Sequence, residues 1–342
     1  MSVRRAVRRR VCGIGVALAA ALAVSACGGG GSAPAASGGA DPIEVRVITV
    51  GPASTGAWDP AHKAAYDKAA AENGWHVEVA EAVAYGDADQ VLDRWGAADV
   101  DIVFSTDNGY EENLLAAAAK YPDTAWVMMS ALSSTDGLPN VAAYNFDWCE
   151  YGYLQGAIAG LATTSNKIAS VGSIDILPTT QSVAAQQLGA REVNPQAEVL
   201  HQNTGDFADV QKAQTVTAGL VGQGADVVIA TVHGVISPQI AAQAQALGVR
   251  YVGSFADETD SAPNATVGSV VINFGDDYRE AVRTWTEGTF DAAIHTGGVA
   301  DGAVTTTPLA GELAGKQAQL DAVIEKLRTE SVQWPAESGC GS

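Results

Sequence analysis

The sequence predicts an α/β protein of two doubly wound parallel-sheet lobes, and three observations predict it. Short β-rich runs alternate with helical stretches from residue 43 onward. The alternation completes one series near residue 146 and restarts at residue 150 with similar length. Val227 to Ala230 is continuously apolar, the pattern of a strand covered by helices on both faces. Repeated βα units imply parallel sheets with right-handed crossovers.

In the first series, residues 43–50 read as a strand, 59–73 as a helix ending at Gly74, and 76–83 as a strand. A helix at 87–98, a strand at 101–105 and a helix at 111–120 follow, then strands at 125–130 and 141–146. The second series opens with a helix at 150–163. It continues with a strand at 167–173, a helix at 181–192, a strand at 198–203 and a helix at 210–222. A strand at 227–231, a helix at 238–247 and a strand at 251–255 close it. The last eighty residues break the rhythm: a strand at 267–273, a helix at 276–288, a hairpin at 293–307 turning at Ala300-Asp301-Gly302, and a helix at 312–328. This part is expected to cross back and complete the first lobe. The expected division is therefore 43–147 plus about 276–342 for lobe 1, and 148–275 for lobe 2.

The N-terminus gives an address. Arg4, Arg5, Arg8, Arg9 and Arg10 form a positive region, and Val11 to Val24 an apolar stretch of secretory length. At about fourteen residues it is too short for a spanning helix, which needs roughly twenty. Val24-Ser25-Ala26-Cys27 resembles the end of a bacterial lipoprotein signal, which implies cleavage before an acylated Cys27. Residues 1–26 are then a signal peptide. Residues 27–42, almost all Gly, Ala, Ser and Pro after Cys27, are a flexible tether that lifts a domain off the outer face of a membrane.

Charge excludes one class of partner. Five of the nineteen basic residues lie in the first ten, which leaves fourteen against 39 acidic residues. Nucleic-acid binding needs clustered Lys and Arg, and this composition lacks it. Electrostatic docking on anionic lipid is disfavoured too, so the acyl anchor must hold the protein at the membrane. The apolar fraction of 47% over this length suffices for a core divided between two lobes. With Cys12 in the signal and Cys27 acylated, Cys149 and Cys340 remain as one pair. Outside the cytoplasm such a pair is more often a disulfide than two free thiols.

In open α/β sheets, ligands bind outside the carboxyl ends of strands. The segments there carry Trp58, Asp107, Asn108, Trp148, Phe207, His233, Phe255, Asp257, Asn273 and Phe274. Aromatic faces to stack and amide or carboxylate groups to read edges suit a flat polar ligand. The candidate ligand residues are Trp58, Asp107, Asn108, Trp148, Phe207, His233, Asp257 and Asn273. Asp107 and Asp257 equally suit helix caps. His62, His76, His201 and His295 read as surface or strand positions. No zinc-like spacing, nucleophile elbow or P-loop is present, so neither a metal, a cofactor nor an enzymatic activity is expected. The adjacent acids Glu111-Glu112, Asp257-Glu258 and Asp276-Asp277 read as solvated helix ends, Asp257 excepted.

Several stretches in the right order resemble the basic membrane protein family of ABC-transporter substrate-binding lipoproteins, which includes purine nucleoside receptors. They are Val103-Phe104-Ser105-Thr106-Asp107-Asn108-Gly109-Tyr110 with Tyr121-Pro122-Asp123, Tyr153-Leu154-Gln155-Gly156 with Ala159-Gly160, Val193-Asn194-Pro195, Gln223-Gly224-Ala225-Asp226-Val227, Gly248-Val249-Arg250-Tyr251-Val252-Gly253, and Asn273-Phe274-Gly275 with Tyr278. The resemblance implies a type I periplasmic-binding-protein fold, two lobes joined by a multi-strand hinge. It implies a receptor that closes on a small heterocycle, a purine nucleobase or nucleoside foremost, and delivers it to an ABC permease. Trp58 then stands where the family stacks a base, and Asp257 where nucleoside receptors hold ribose hydroxyls. The first loop, Ser54-Thr55-Gly56-Ala57, lacks the family's Asp-Asn character, and Ile272 stands where those receptors often carry a lysine. Both departures shift weight toward a base or another small heterocycle. A monomer is expected. The alternatives are a ligand sensor for a membrane signalling protein, or a binder of a sugar or other small polar solute.

Overall fold

Two six-stranded sheets take their strands from three separate stretches of the chain. The computed structural model describes residues 42–232, 234–329 and 332–340. The signal and tether expected over 1–26 and 27–42, with Cys27, lie outside these residues save Pro42, and so does His233.

The first stretch holds β1 (Glu44–Ile48), α1 (Trp58–Asn73), β2 (His76–Ala80), α2 (Ala88–Ala97), β3 (Ile102–Ser105), α3 (Glu111–Lys120), β4 (Ala125–Met128) and β5 (Val141–Phe146). The second holds α4 (Trp148–Ala162), β6 (Lys167–Gly172), α5 (Leu177–Val193), β7 (Glu198–Asn203), α6 (Val210–Gly222) and β8 (Val227–Thr231). It ends with α7 (Ser237–Ala246), β9 (Arg250–Phe255) and β10 (Thr266–Ile272). The third holds α8 (Gly275–Glu287), β11 (Ile294–Gly297), β12 (Val304–Thr306) and α9 (Gln317–Thr329). The strand orders are β2-β1-β3-β4-β5-β11 and β7-β6-β8-β9-β10-β12. Pairing is parallel throughout except for β12, which runs antiparallel to β10 with Val304 opposite Ile272. This is the two-lobed, doubly wound α/β architecture that the alternating runs predict.

The third stretch departs from expectation. Its two strands form no hairpin: β11 extends the first sheet beside β5, and β12 extends the second. Helix α8 packs on α1 in the first lobe, whereas α9 and the tail pack on α4 in the second. The physical reason lies in α4, where every residue but Glu150 is buried. A helix apolar all round needs cover on every side, and Leu320, Val323 and Leu327 of α9, with Trp334 against Tyr153, supply it. The tail is fixed covalently, because Cys149 and Cys340 form a disulfide with Cα atoms 5.9 Å apart.

On another face α4 meets α5 backbone to backbone. Gly152, Gly156 and Gly160 lie four residues apart on one face. A Cβ at each would stand 2.3, 2.1 and 2.6 Å from the carbonyl oxygens of Ser182, Gln186 and Ala190. Only glycine permits this approach.

Three crossovers join the lobes, at 147, at 273–275 and at 298–303, and they are hydrogen-bonded to one another. The Asp147 N–H donates to the Gly297 carbonyl at 2.8 Å, and the Asn273 N–H to that of Ala303 at 2.9 Å. Asp147 also caps α4 through the N–H groups of Cys149 and Glu150. Glu150 accepts from the Val299 N–H at 2.7 Å, and burial raises its pKa.

Candidate ligand site between the lobes

The loop after β1 in the first lobe touches the loop after β8 in the second. The Gly234 carbonyl accepts the N–H of Ala57 at 2.6 Å and of Trp58 at 3.2 Å. The approach leaves no room for a side chain: a Cβ on Gly234 would lie 2.4 Å from the Trp58 Cβ, and one on Gly56 2.5 Å from the Gly234 oxygen.

Trp58 opens α1, and its indole N–H donates to the Thr106 carbonyl at 2.9 Å, which fixes the ring. Around it stand Phe255 at 5.1 Å and Phe274 at 5.3 Å, both edge to face, His62 at 4.7 Å and Phe146 at 6.0 Å. Trp148 continues the cluster, 4.1 Å from Phe146 and 5.9 Å from Tyr151, and Phe255 lies stacked on Tyr151 at 5.4 Å. Rings from both lobes therefore form one continuous aromatic cluster with no member more than 9% exposed.

The structure brings Trp58 and Trp148 together and sets the other candidates apart. Asp107 is half-buried; its Oδ1 accepts from the Gly109 N–H at 2.7 Å, capping a short turn, and from the Tyr85 hydroxyl at 2.9 Å. Burial raises its pKa. Asn108 is exposed. Phe207 is partly buried and packs against the central core. Asp257 is exposed and accepts from the N–H and hydroxyl of Thr259, a cap on the turn that follows. Asn273 is exposed beside a cavity of about 500 Å³ at the start of α8, lined also by Asp276, Asp277, Arg279 and Asp301.

Four of the cluster's residues were missing from the candidates, and two side-chain environments differ from the sequence reading. All four belong to the cluster; Phe146, Phe255 and Phe274 lie at or just beyond strand ends, which was the available signal, whereas Tyr151 lies within α4. His62 is not on the surface but fully buried, stacked on Phe274 at 3.7 Å, with Nδ1 3.0 Å from the Tyr278 hydroxyl. Burial depresses its pKa to about 3, so the imidazole is neutral. Helix α8 buries it by packing over α1, a long-range contact that no local pattern reveals. Glu258 is not a solvated end either. Only 3% exposed, it accepts from the hydroxyls of Ser237 and Tyr251 and from the Ser254 N–H.

Electrostatics and backbone strain mark the same place. Asp59, 2% exposed, accepts from the Gly51 N–H and the Thr106 hydroxyl, both at 3.1 Å. Burial holds its carboxyl up to about 7, helped by repulsion from Asp107 and Glu81. Val232 and Phe255, on the two second-lobe segments facing Trp58, have φ of 54° and 68°. Left-handed backbone costs a β-branched or bulky residue on the order of 1–3 kcal/mol, and such strain clusters where function requires it.

Residues 43–337 match the family model described as ABC transporter substrate-binding protein PnrA-like. The chain belongs to this family. It is similar to a purine-binding protein of Brucella abortus, 26% identical over 78% of this chain and 75% of that one. It is also similar to a Haloferax volcanii protein provisionally named as an ABC transporter glucose-binding protein, 31% identical over 50% of this chain. That match spans 43% of the Haloferax protein's own length. An ABC transporter nucleoside-binding protein of Lactococcus lactis is 29% identical over 39% of this chain and 38% of its own. Among solved structures, a solute-binding protein of Conexibacter woesei superposes with a TM-score of 0.72 at 22% identity, covering 86% of this chain and 98% of that one. One from Aeropyrum pernix gives 0.69 at 22% identity, with coverages of 87% and 88%. Both are likenesses of fold, here the type I periplasmic-binding-protein architecture. As a member of this family the chain is an ABC-transporter solute-binding protein, a class that works outside the cytoplasm. Among the described residues no helix is long and apolar enough to cross a membrane, and no group of His, Cys, Asp and Glu is arranged to hold a metal.

Proposed function

We propose that the protein captures a flat heterocycle, a purine nucleobase or nucleoside, between its lobes and passes it to an ABC permease. The observation that carries this reading is the aromatic cluster shared by the two lobes. Trp58 meets Phe255, and Phe146 meets Trp148 and Tyr151, with Phe274 packed against Trp58. A planar ligand entering an opened cleft replaces ring–ring contacts with base–ring contacts of the same kind, and base–aromatic stacking is worth about 1–3 kcal/mol. Neutral His62 and the carboxyls of Asp59 and Asp107 supply edge-reading groups, and an analogue lacking the matching donor leaves them unpaired. Hinge motion about the three crossovers closes the cleft. The names of the Brucella and Lactococcus relatives favour a purine or nucleoside cargo.

On this reading the protein acts as a monomer and performs no chemistry on its cargo. Acylated Cys27 holds it on the extracytoplasmic face, with 28–41 as the tether. Membrane fractionation tests the anchor: Cys27→Ser should shift the protein from the membrane to the soluble fraction, and an unchanged distribution contradicts the anchor. A thermal-shift panel of adenine, adenosine and glucose tests the cargo. A ligand at a hundred times its Kd adds about 2.7 kcal/mol of stability. Stabilisation by adenine or adenosine supports the purine reading; stabilisation by glucose alone replaces it with a sugar receptor.

A further inference from the structure

Two second-lobe segments meet Trp58, and both are strained. One is the loop after β8, where Val232 has φ of 54° and Gly234 accepts the N–H groups of Ala57 and Trp58. The other is the end of β9, where Phe255 has φ of 68° and sets its ring edge against Trp58. Left-handed backbone at valine and phenylalanine persists only where surrounding contacts over-determine it.

One buried side chain reaches both segments. Glu258 Oε1 accepts the Ser237 hydroxyl at 2.7 Å, at the start of α7 where the first segment ends. Its Oε2 accepts the Ser254 N–H at 2.8 Å, one residue before Phe255, and the Tyr251 hydroxyl at 2.7 Å. Glu258 is itself pinned to the sheet: its N–H donates to Ser269 Oγ at 3.2 Å and its carbonyl accepts from the Thr266 hydroxyl at 3.3 Å. The three groups facing its oxygens, two hydroxyls and one amide N–H, converge on it from both segments, and burial raises the carboxyl's pKa.

We propose that Glu258 is a positioning residue for the ligand cleft. Its carboxylate ties the loop after β8 to the turn after β9 and so holds Gly234 and Phe255 where they meet Trp58. The residue touches no ligand and acts through those two segments. The proposal rests on reading the aromatic cluster as the ligand cleft. Its sequence neighbour Asp257 points outward, so the division between an inner strut and an outer cap is decided within one dipeptide.

The test measures hydrogen exchange on the unliganded protein and, separately, adenine affinity by calorimetry. Glu258→Met keeps the length and volume but removes both oxygens that the Ser237 and Tyr251 hydroxyls and the Ser254 N–H meet. It should raise exchange at least tenfold at 234–237 and at 254–257 while β6 and β8 exchange as in the wild type. Ser237→Ala cuts only one tether and should loosen 234–237 alone. Adenine should bind about tenfold more weakly to Glu258→Met. A uniform rise across the second sheet would show an ordinary structural role and overturn the proposal, as would unchanged exchange in either segment. Loosened segments with unchanged adenine affinity would overturn it equally. If the wild type takes no adenine, the purine reading fails and the exchange pattern alone decides on the strut.

Discussion

The ring of Trp58 in the first lobe meets that of Phe255 in the second edge to face, with centroids 5.1 Å apart. Phe255 also lies stacked on Tyr151, so its position is set from the second lobe while Trp58 is set by its bond to Thr106. Two rigidly held rings on opposite lobes suit a clamp. Phe255→Ala is expected to weaken binding of an aromatic ligand by about 1–3 kcal/mol. Titration calorimetry checks this, and the melting temperature separates lost affinity from lost folding.

Closure has its own determinant. Gly234→Ala places a Cβ 2.4 Å from the Trp58 Cβ across the interface, inside any tolerable contact. The lobes individually need no such contact, so the variant is expected to fold but to stay partly open. Small-angle scattering with saturating ligand should show a larger radius of gyration than the wild type, and ligand affinity should fall at least tenfold.

Asp59 makes stability depend on pH in an unusual direction. Its folded pKa of about 7 lies above the unfolded value of about 3.9, so between these values the native state binds the extra proton. Stability from this group is therefore full below about pH 4 and is lost as pH rises toward 7. Asp59→Asn removes the dependence and keeps an acceptor for the Gly51 N–H. The stability of the variant relative to wild type should rise between pH 4 and pH 7.5 by roughly 2–4 kcal/mol, measured by denaturant unfolding at each pH.

How much of this could be read from the chain depended on the range of the contacts involved. The strand–helix rhythm from β1 to β10 was legible because each element carries its own periodicity and punctuation, Gly74 closing α1 being one case. The destination of β12 and α9 was not, because the need they meet is the burial of α4, which lies more than a hundred residues away in sequence. Trp58 and Trp148 were legible as aromatic residues at strand ends. His62 was hidden because α8 buries it. Asp257 was set apart from Glu258 as the ligand candidate, yet Glu258 is the one buried, since at a strand end the face each side chain takes depends on the turn that follows.

The contact between α4 and α5 should be intolerant of added volume. Gly156→Ala puts a methyl 2.1 Å from the Gln186 carbonyl, a backbone atom that cannot swing away. Helix propensity alone would favour alanine, so a loss identifies the packing term. A destabilisation of about 1–3 kcal/mol or more is expected by denaturant unfolding.

The most direct measurement is calorimetric titration of the wild-type protein and of Trp58→Ala with adenine. A clamp built on the shared aromatic cluster requires saturable one-to-one binding by the wild type and a loss of about 1–3 kcal/mol in the variant, with its fold intact. Adenine binding of equal strength to both proteins would contradict the account.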